Sequence, residues 1–472
     1  MNEISFFNSM GRKLEPFTPL EPGRVRLYAC GPTVYDHPHI GNHRTFLFED
    51  VLRRGLLFLG YQVEQVMNVT DIDDKTIRGA QEKGVTLDEF TAPFVASFFA
   101  DLDTLHVERA EHYPRATEHV PEMIALVERL LERGYAYPSD GSVFFRIAAD
   151  DDYGRLSGVD LDHVQRGERV AQDEYEKEDV RDFALWKAAK NGEPSWSSPW
   201  GPGRPGWHVE CSAMSMRYLG ESFDLHCGGV DNMFPHHENE IAQSESATGK
   251  PLAHTWLHAE HLLVDGRKMS KSLGNQYTIK DLLVREAEPR AMRYLFLSTH
   301  YRQRLNFTFD ALTAAGAALR RSDEMRFRLA HATESEERIA DVEGAARRLL
   351  DGFAAALADD LNASAALGAV FQFVKEINMA VEAGRIGRGD RQRAFDALAR
   401  VDRVLGVLDP AAWQEPAAAG GPGDEEIERK VRERQEARGR RDFAAADRLR
   451  DELQALGVVV EDTPQGPRWR RA

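Results

Sequence analysis

Two strand signals with a helix signal between them lie near the start of the chain, and this order limits the fold more than any other feature. Residues 25–29 alternate in polarity and run into a turn at Cys30, as is typical of a strand end. Apolar side chains then recur at helical spacing between Phe48 and Leu59, and residues 61–66 predict a second strand. A strand, a crossover helix and a second strand form the unit of a parallel sheet with helices on both faces. We therefore predict an α/β fold with a doubly wound parallel, Rossmann-type domain.

The remaining chain separates into segments of different composition. Residues from about 139 to 206 are rich in Asp, Glu, Gly, Pro and Trp and have weak periodicity, so we predict an insertion that divides the parallel domain. A later stretch rich in Ala, Leu and Arg has helical periodicity. The predicted order is the Rossmann-type domain at 1–310, an α-helical bundle at 311–410, a linker at 411–424 and a small C-terminal domain at 425–472.

Charge restricts where the chain can meet a nucleic acid. The 472 residues carry a net charge of −17, so the body provides no general attraction for a polyanion. Residues 429–472 instead carry +4, which leaves −21 on the rest of the chain. A small basic module on an acidic body is suited to local RNA contact. A solvated helix of mixed charge is the alternative that this pattern also allows.

Cysteine content and hydropathy indicate a compartment. The N-terminus has no basic segment followed by an apolar run, and no stretch reaches the roughly 20 apolar residues that a membrane helix needs. Three cysteines in 472 residues are typical of a reducing environment rather than of a disulfide framework. We expect a cytoplasmic protein without membrane contact, a class in which enzymes are common.

Two patterns match known motifs without their context. Residues 201–206 fit G-x-G-x-x-G, but no strand is predicted before them and their two prolines oppose a helix start. His254 and His258 are spaced like metal ligands on a helix, although the residues between them favour a strand. We interpret the first pattern as a coincidence and the histidine pair as structural.

Two loops carry the pattern expected of a polyphosphate site. The tetrad His39-Ile40-Gly41-Asn42 stands at the start of the first predicted helix, where unpaired N–H groups suit a phosphate. His39 can donate to a phosphoryl oxygen, and Gly41 leaves room for the close approach of a nucleotide. The second loop holds Lys268 and Lys271 beside small hydroxyl residues, a cationic clamp for developing negative charge. Taken separately, the first loop fits a capped helix equally well and the second a solvated surface.

In this order the two loops resemble the signature pair of class I aminoacyl-tRNA synthetases. Five longer strings also stand out: residues 28–36 (YACGPTVYD), 68–75 (NVTDIDDK), 205–214 (PGWHVECSAM), 234–240 (FPHHENE) and 462–471 (DTPQGPRWRR). Together they resemble the cysteinyl-tRNA synthetase family, and the resemblance extends over nearly the whole chain. One difference is Asn42, because the family's tetrad usually ends in a second histidine. Asparagine can still donate to a phosphate or ribose oxygen, so we expect retuned rather than lost activity.

A metal site is the third candidate. Its candidate ligands are Cys30, Cys211, His236 and Glu240, and a mixed set of Cys, His and Glu suits Zn²⁺. On a helix Glu240 shares a face with His236 and equally with His237, so spacing alone leaves both histidines open. The resemblance selects His236 and leaves the third cysteine as a free thiol. The alternative is that all three cysteines are small buried hydrophobic residues.

The resemblance also implies an activity. In the family, the carboxylate of L-cysteine attacks the α-phosphate of ATP, and the cysteinyl-adenylate then gives its aminoacyl group to the 3′-terminal ribose of tRNA-Cys. The residues implied for catalysis, with Mg²⁺ on the ATP, are His39, Asn42, Lys268 and Lys271; Gly41 and Lys271 would contact ATP. By analogy, the pocket for cysteine would be lined by Thr70, Trp207 and Asp231.

In this interpretation, the metal makes the site selective for cysteine over serine. A hydrophobic pocket separates near-isosteres such as cysteine and serine by only about 1–3 kcal/mol, whereas a soft thiolate binds Zn²⁺ far better than a hydroxyl does. The family suggests a monomer. The alternatives are a ligase that passes cysteine to a small amine, as in the mycothiol pathway, and a non-catalytic RNA-binding paralogue. The basic tail favours tRNA over a small amine, and the complete lysine loop opposes a loss of catalysis.

Overall fold

The computed structural model describes residues 3–159, 177, 179, 181–336, 340–413, 424–455, 458–463 and 466–471. It divides into two compact units, Met1–Asp409 and Pro410–Ala472. The predicted linker lies largely outside the described residues. No helix in the described ranges combines the length and apolar character needed to cross a bilayer.

Strands and helices alternate through the first half of the chain. The strands are β1 (Ser5–Asn8), β2 (Lys13–Pro16), β3 (Arg24–Ala29), β4 (Gln62–Met67), β5 (Ala136–Ser139), β6 (Ser142–Phe145), β7 (Phe183–Ala188), β8 (Gly203–Pro205), β9 (Phe223–Gly229), β10 (Ala253–Ala259), β11 (Leu262–Val264), β12 (Arg267–Lys268), β13 (Leu305–Phe307), β14 (Val458–Thr463) and β15 (Gly466–Arg471). The helices are α1 (Ile40–Phe58), α2 (Asp74–Lys83), α3 (Leu87–Thr104), α4 (Val120–Glu132), α5 (Trp207–Leu219), α6 (Glu238–Thr248), α7 (Ile279–Val284), α8 (Pro289–Leu297), α9 (Phe309–Ala330), α10 (Val342–Ala358), α11 (Ala363–Glu382), α12 (Asp390–Leu405), α13 (Asp424–Gly439) and α14 (Phe443–Ala455).

A four-stranded parallel sheet in the order β10-β9-β3-β4 forms the centre of the first unit. The predicted unit of strand, helix and strand is confirmed, because β3 leads through α1 into the neighbouring parallel strand β4. Every residue of β9 is buried, as expected for a central strand that is covered on both faces. In register, Ala29 lies opposite both Met67 and Cys227, so three strands end side by side.

The predicted insertion contains a second sheet. The strands β5, β6, β7 and β8 pair antiparallel in that order, beginning at Ala136. The pattern at 201–206 overlaps the edge strand β8, which contains Gly203, and ends at Gly206, the N-cap residue of α5. A strand therefore stands where the motif would need a nucleotide loop. A salt bridge of 3.0 Å joins Lys187 of this sheet to Asp74 at the start of α2.

The helices α9, α10, α11 and α12 form the bundle that the periodicity predicts. A buried guanidinium connects this bundle to the parallel domain. Arg293 of α8 donates to Asp50 of α1 at 2.7 Å and to the Leu405 carbonyl at the end of α12 at 2.6 Å. Burial of a charge is costly unless it is paired, and Asp50 provides that pairing.

The second unit is a small α/β module with its own core. The two helices α13 and α14 pack with the antiparallel hairpin β14-β15, and Ile427, Val431 and Leu453 are buried among them. Some of its basic residues are used internally, since Arg434 forms a bidentate pair with Asp462 at 2.8 and 2.9 Å.

One carboxyl group in α1 is buried without a hydrogen-bond partner among the described residues. Glu49 is fully buried, and neither carboxyl oxygen has a hydrogen-bond partner among the described residues. Burial raises the pKa of Glu49 well above its usual range, so the folded state holds the group protonated at pH values where the unfolded chain has lost the proton. Because folding then requires proton uptake, Glu49 destabilises the protein increasingly as the pH rises above the unfolded pKa of about 4.3.

We therefore expect Glu49→Leu to raise the free energy of unfolding by about 1–3 kcal/mol at neutral pH, because it removes an unpaired buried polar group. The gain should be larger at pH 8 than at pH 5. Denaturant unfolding at the two pH values measures both quantities. Glu82→Leu, at an exposed position of α2, is the matched control and should show no such pH dependence. An equal gain at both pH values would contradict the assignment.

Candidate active site and metal centre

The carboxyl ends of the parallel strands open into a cavity of about 270 Å³, the place where ligands bind in such sheets. The site residues predicted on six different segments meet at its wall. The predicted residues that line this cavity are Cys30, His39, Asn42, Thr70, Trp207, Cys211, Asp231 and His236. Glu240 lies behind the wall, within reach of Cys30 and His236.

The tetrad forms the N-terminal cap of α1. His39 is the N-cap residue. Its Nδ1 accepts a hydrogen bond from the backbone N–H of Asn42 at 3.3 Å, and its own backbone N–H donates to the side-chain Oδ1 of Asn42 at 3.0 Å. In the neutral ring, Nδ1 as an acceptor leaves the proton on Nε2, which becomes the donor. Burial lowers the pKa of His39, which favours this neutral form. The Asn42 oxygen serves the cap, so its amide nitrogen is the atom that can donate to a ligand.

A second, smaller cavity adjoins the first; it is lined by three residues of the tetrad, His39, Gly41 and Asn42, and by Lys268 and Met269. The space beside Gly41 is taken by another side chain, because a Cβ there would lie 2.5 Å from Met269 Cε. Glycine thus lets the lysine loop approach α1. Lys268 ends β12 and is exposed. Lys271 begins a short 3₁₀ turn; its side chain lies outside the described residues.

Buried donor atoms form a compact cluster below the first cavity. Two overlapping groups among the described residues bring four donor atoms within 4.8 Å of one another. The first is the predicted set, and the second replaces Cys211 and His236 with His226 and His237. Both groups contain Cys30 and Glu240. The distances alone therefore do not decide whether His236 or His237 would be the metal ligand.

The shared carboxylate holds the cluster together. Glu240 Oε1 lies 3.1 Å from His236 Nε2, and Oε2 lies 2.9 Å from His226 Nε2. The other histidine, His237, places Nε2 3.3 Å from Cys30 Sγ. These contacts tie ring nitrogens, a thiol and a carboxylate into one buried network.

Burial determines the protonation of this network. It lowers the pKa of His236 and His226 to about 3, which leaves neutral imidazoles, the form that binds metals. Burial raises the pKa of Glu240 to about 7 and that of the Cys30 thiol well above its usual range. Metal binding must therefore displace protons from the thiols, whereas the histidines need no deprotonation.

The remaining predicted pocket residues have distinct positions. Thr70 follows β4 and is buried. Trp207 begins α5, is 39% exposed, and stacks on His236 with ring centroids 4.3 Å apart. The carboxylate of Asp231 folds back over Gly229, where a Cβ would lie 2.4 Å from its Oδ1.

Several residues near the site were not predicted from the sequence. His208 lies 2.9 Å from His236, and His258, of the pair interpreted as structural, lies 2.8 Å from His237. His254 and His258 both lie on β10, which confirms the strand expected for that pair. The signal for His208 was its place in the family-like string at 205–214. His226 has a weaker signal, a polar residue within the buried run of β9.

Two further polar residues frame Thr70. Asn68 follows β4 directly and donates from Nδ2 to Thr70 Oγ1 at 3.1 Å. Glu210 on α5 is also buried, and its Oε2 has no hydrogen-bond partner among the described residues. Burial raises the pKa of Glu210 well above its usual range, and the nearby Thr70 side chain opposes part of that rise.

Comparison with known proteins covers the whole chain. Residues 16–317 match the catalytic domain of tRNA synthetases class I (C), residues 352–409 match a DALR domain, and residues 423–470 match the cysteinyl-tRNA ligase anticodon binding domain. A cysteine--tRNA ligase of Solibacter usitatus is 47% identical over 468 residues, which cover 99% of each chain. Another, from Chlamydia pneumoniae, is 48% identical over 470 residues and 98% of each chain.

Solved structures share the architecture at low identity. Methionyl-tRNA synthetase of Mycobacterium tuberculosis, in complex with methionyl-adenylate, gives a TM-score of 0.58 at 16% identity, covering 82% of this chain and 90% of that one. The LeuRS in a ternary complex from Agrobacterium radiobacter gives 0.59 at 14% identity, covering 84% of this chain and 87% of that one. These likenesses show the fold. The match over residues 16–317 and the identity along the full length show that this chain belongs to the cysteinyl-tRNA synthetase family of class I aminoacyl-tRNA synthetases.

Proposed function

We propose that this chain activates L-cysteine with ATP and transfers it to tRNA-Cys. The cysteine carboxylate attacks the α-phosphate and displaces pyrophosphate; the 3′-terminal ribose hydroxyl then attacks the carbonyl carbon of the adenylate and releases AMP. The observation that carries the proposal is that one cavity is lined both by His39 and Asn42 of the tetrad and by the thiol and imidazole donors. An adenylation site and a site for a sulfur-bearing amino acid are thereby adjacent.

The phosphate end is assigned to the tetrad and the lysine loop. The His39 Nε2–H and the Asn42 amide nitrogen donate to phosphoryl oxygens at the N-terminus of α1, where the helix dipole also favours negative charge. Lys268 and Lys271 neutralise charge on the departing pyrophosphate, together with Mg²⁺ on the ATP. Gly41 and Lys271 contact the nucleotide. No covalent enzyme intermediate is needed, so orientation of the two substrates supplies much of the rate.

The sulfur end is assigned to a metal centre. Two thiols, an imidazole and a carboxylate within 4.8 Å fit Zn²⁺. Bound there, zinc would supply a ligand position that accepts a thiolate far more readily than a hydroxyl. Around it, Trp207 packs on His236 and closes the pocket, while Thr70 and Asp231 face the amino end of the substrate.

Access to the cavity favours His236 over His237 as the ligand. Cys30, Cys211 and His236 all line the cavity, whereas His226 and His237 do not. Because the substrate sulfur must reach the metal, the set that opens onto the cavity suits the function. His237 instead contacts His258, which in turn contacts Ser9 at 2.7 Å, and so supports the cluster from behind.

The acceptor is assigned to tRNA rather than to a small amine. The anticodon-binding match at 423–470 supports this choice, because a small-amine ligase needs no such module. We take the bundle and the second unit as the tRNA-binding parts, with the domain bounds at 310, 410 and 424 predicted from the sequence. Three free cysteines are consistent with a reducing, cytoplasmic location. The monomeric state stays a proposal from the family.

The decisive experiment is charging of total tRNA by the purified protein with labelled cysteine and ATP, and with labelled serine as the control. We expect charging with cysteine alone. Cysteine-dependent pyrophosphate exchange without charging would move the acceptor to a small amine. Absence of both reactions would favour the non-catalytic paralogue.

Asn42 has two separable roles. Asn42→Asp keeps the oxygen that caps α1 but loses the amide donor and adds a negative charge. We expect unchanged thermal stability and a KM for ATP raised at least about tenfold, since a hydrogen bond to a charged group is worth about 1.5–3 kcal/mol. Asn42→Ala should also lose about 1 kcal/mol of stability, because it removes the acceptor of the His39 backbone amide in the capping box. An unchanged KM for ATP in the aspartate variant would exclude contact with the phosphates.

Metal content distinguishes the two donor sets. We expect Cys211→Ser and His236→Gln to lose most of the zinc found in the wild-type protein, because each removes one of four ligands. Elemental analysis of the gel-filtered proteins measures this loss. Cys227→Ser, which changes a buried cysteine outside both sets, is the control and should retain a full equivalent. Retention by His236→Gln with loss by His237→Gln would reverse the assignment.

A further inference from the structure

Arg44, near the start of α1, has a buried guanidinium group that donates to backbone carbonyls of two other segments. Its Nη1 donates to the Glu260 carbonyl at 2.6 Å and to the His261 carbonyl at 2.7 Å. Its Nη2 donates to the His300 carbonyl at 3.3 Å and to the Gln303 carbonyl. Because the guanidinium is planar and its donors form a rigid fork, these four bonds fix both segments relative to α1.

Both segments lead directly into the small sheet that carries the lysine loop. Glu260 and His261 precede β11, and Gln303 precedes β13, the parallel neighbour of β11. The other neighbour of β11 is β12, in which Lys268 lies opposite Leu263. Through these carbonyls the α1 guanidinium holds the base of the lysine loop against the helix.

The other end of the lysine loop is attached to the same helix. The Ile40 backbone N–H donates to the Tyr277 carbonyl at 2.9 Å, and His39 pairs with Thr278 in an antiparallel bridge. Ile40 and Arg44 are four residues apart in α1, which is about one helical turn. Both ends of the loop are therefore anchored beside the tetrad.

We propose that Arg44 is a positioning residue for amino-acid activation, because it sets the distance between the tetrad and Lys268. The inference rests on the proposed function, which assigns the polyphosphate of ATP to these groups. The smaller cavity is lined by residues of the tetrad on one side and by Glu260, His261 and Lys268 on the other. Arg44 holds one wall of this cavity against the other.

Loss of this anchor should affect the reaction of ATP more than the binding of cysteine. An error of about 1 Å in the placement of a catalytic group can cost about 100-fold in rate. The candidate ligands for the cysteine sulfur depend on other elements, since Cys30 follows β3, Cys211 lies on α5 and His236 precedes α6. A shift of the lysine loop therefore leaves that end of the site in place.

Arg44→Lys tests this role, because lysine keeps the positive charge but replaces the fork by a single nitrogen. In cysteine-dependent pyrophosphate exchange we expect kcat/KM for ATP to fall by about 10- to 100-fold. The KM for cysteine should change by less than about twofold, since the lost interaction acts on ATP. A merely structural role would not separate the two substrates in this way.

Arg290→Lys is the matched control. Arg290 is another buried guanidinium, 4% exposed against 3% for Arg44. It joins α8 to the bundle through Asp323 and the Val407 carbonyl. The same substitution there should change kcat/KM for ATP and KM for cysteine by less than about twofold, because no group at the ATP end moves.

Hydrogen exchange measures the anchor without any turnover. In Arg44→Lys the backbone amides of residues 262–275 should exchange about tenfold faster than in the wild-type protein, because amide exchange follows local opening. In Arg290→Lys the same amides should keep the wild-type rate. Mass spectrometry of peptides from this segment records both results.

Unchanged hydrogen exchange at 262–275, or an unchanged kcat/KM for ATP, in Arg44→Lys would each overturn the proposal. So would an equal loss in Arg290→Lys, or a rise in KM for cysteine as large as the loss for ATP. Absence of pyrophosphate exchange in the wild-type protein would instead refute the proposed function. The hydrogen-exchange comparison would then still decide whether Arg44 anchors the loop, so the two failures are recorded by different measurements.

Discussion

The parallel pairing of β3 with β4 on one side and β9 on the other is the constraint on which the rest of this structure depends. It places three strand ends at one edge of the sheet, so Cys30, Asn68 and Gly229 stand beside one another although they are far apart in the chain. The helix α1 begins soon after β3, which turns its capped N-terminus toward the same edge. The tetrad and the buried donor cluster are neighbours for this reason.

Burial of polar groups at this edge of the sheet costs considerable folding free energy. Glu240 and the histidines around it are buried, and burial of such groups is unfavourable unless they are paired. Their mutual contacts compensate part of that cost, and a metal ion in the cluster would compensate more by binding the thiolates and the carboxylate together. Glu49, in contrast, has no described partner. The helix α1 thus carries the tetrad cap at its start and an unpaired buried carboxyl further along.

The elements that hold the candidate site residues were predicted from the sequence wherever their pattern spans only a few consecutive residues. The tetrad cap, the strand before Cys30 and the bundle predicted at 311–410 each depend on contacts between near neighbours. The choice between His236 and His237 could not be made from spacing, since both lie within one turn of Glu240. Nor did any local signal indicate that Met269 occupies the space beside Gly41, because that contact joins segments more than 200 residues apart.

The sequence by itself determined the parallel α/β architecture, the family and the residue types at the site, because periodicity and motif strings are properties of consecutive residues. Only the tertiary structure decided which donors share one cluster, which of them open onto the cavity, and how Asn68 contacts Thr70. Those relations depend on strand register and on the packing of α5 and α6 against the sheet. Register and packing are set by burial summed over the whole domain, which no short stretch of sequence contains.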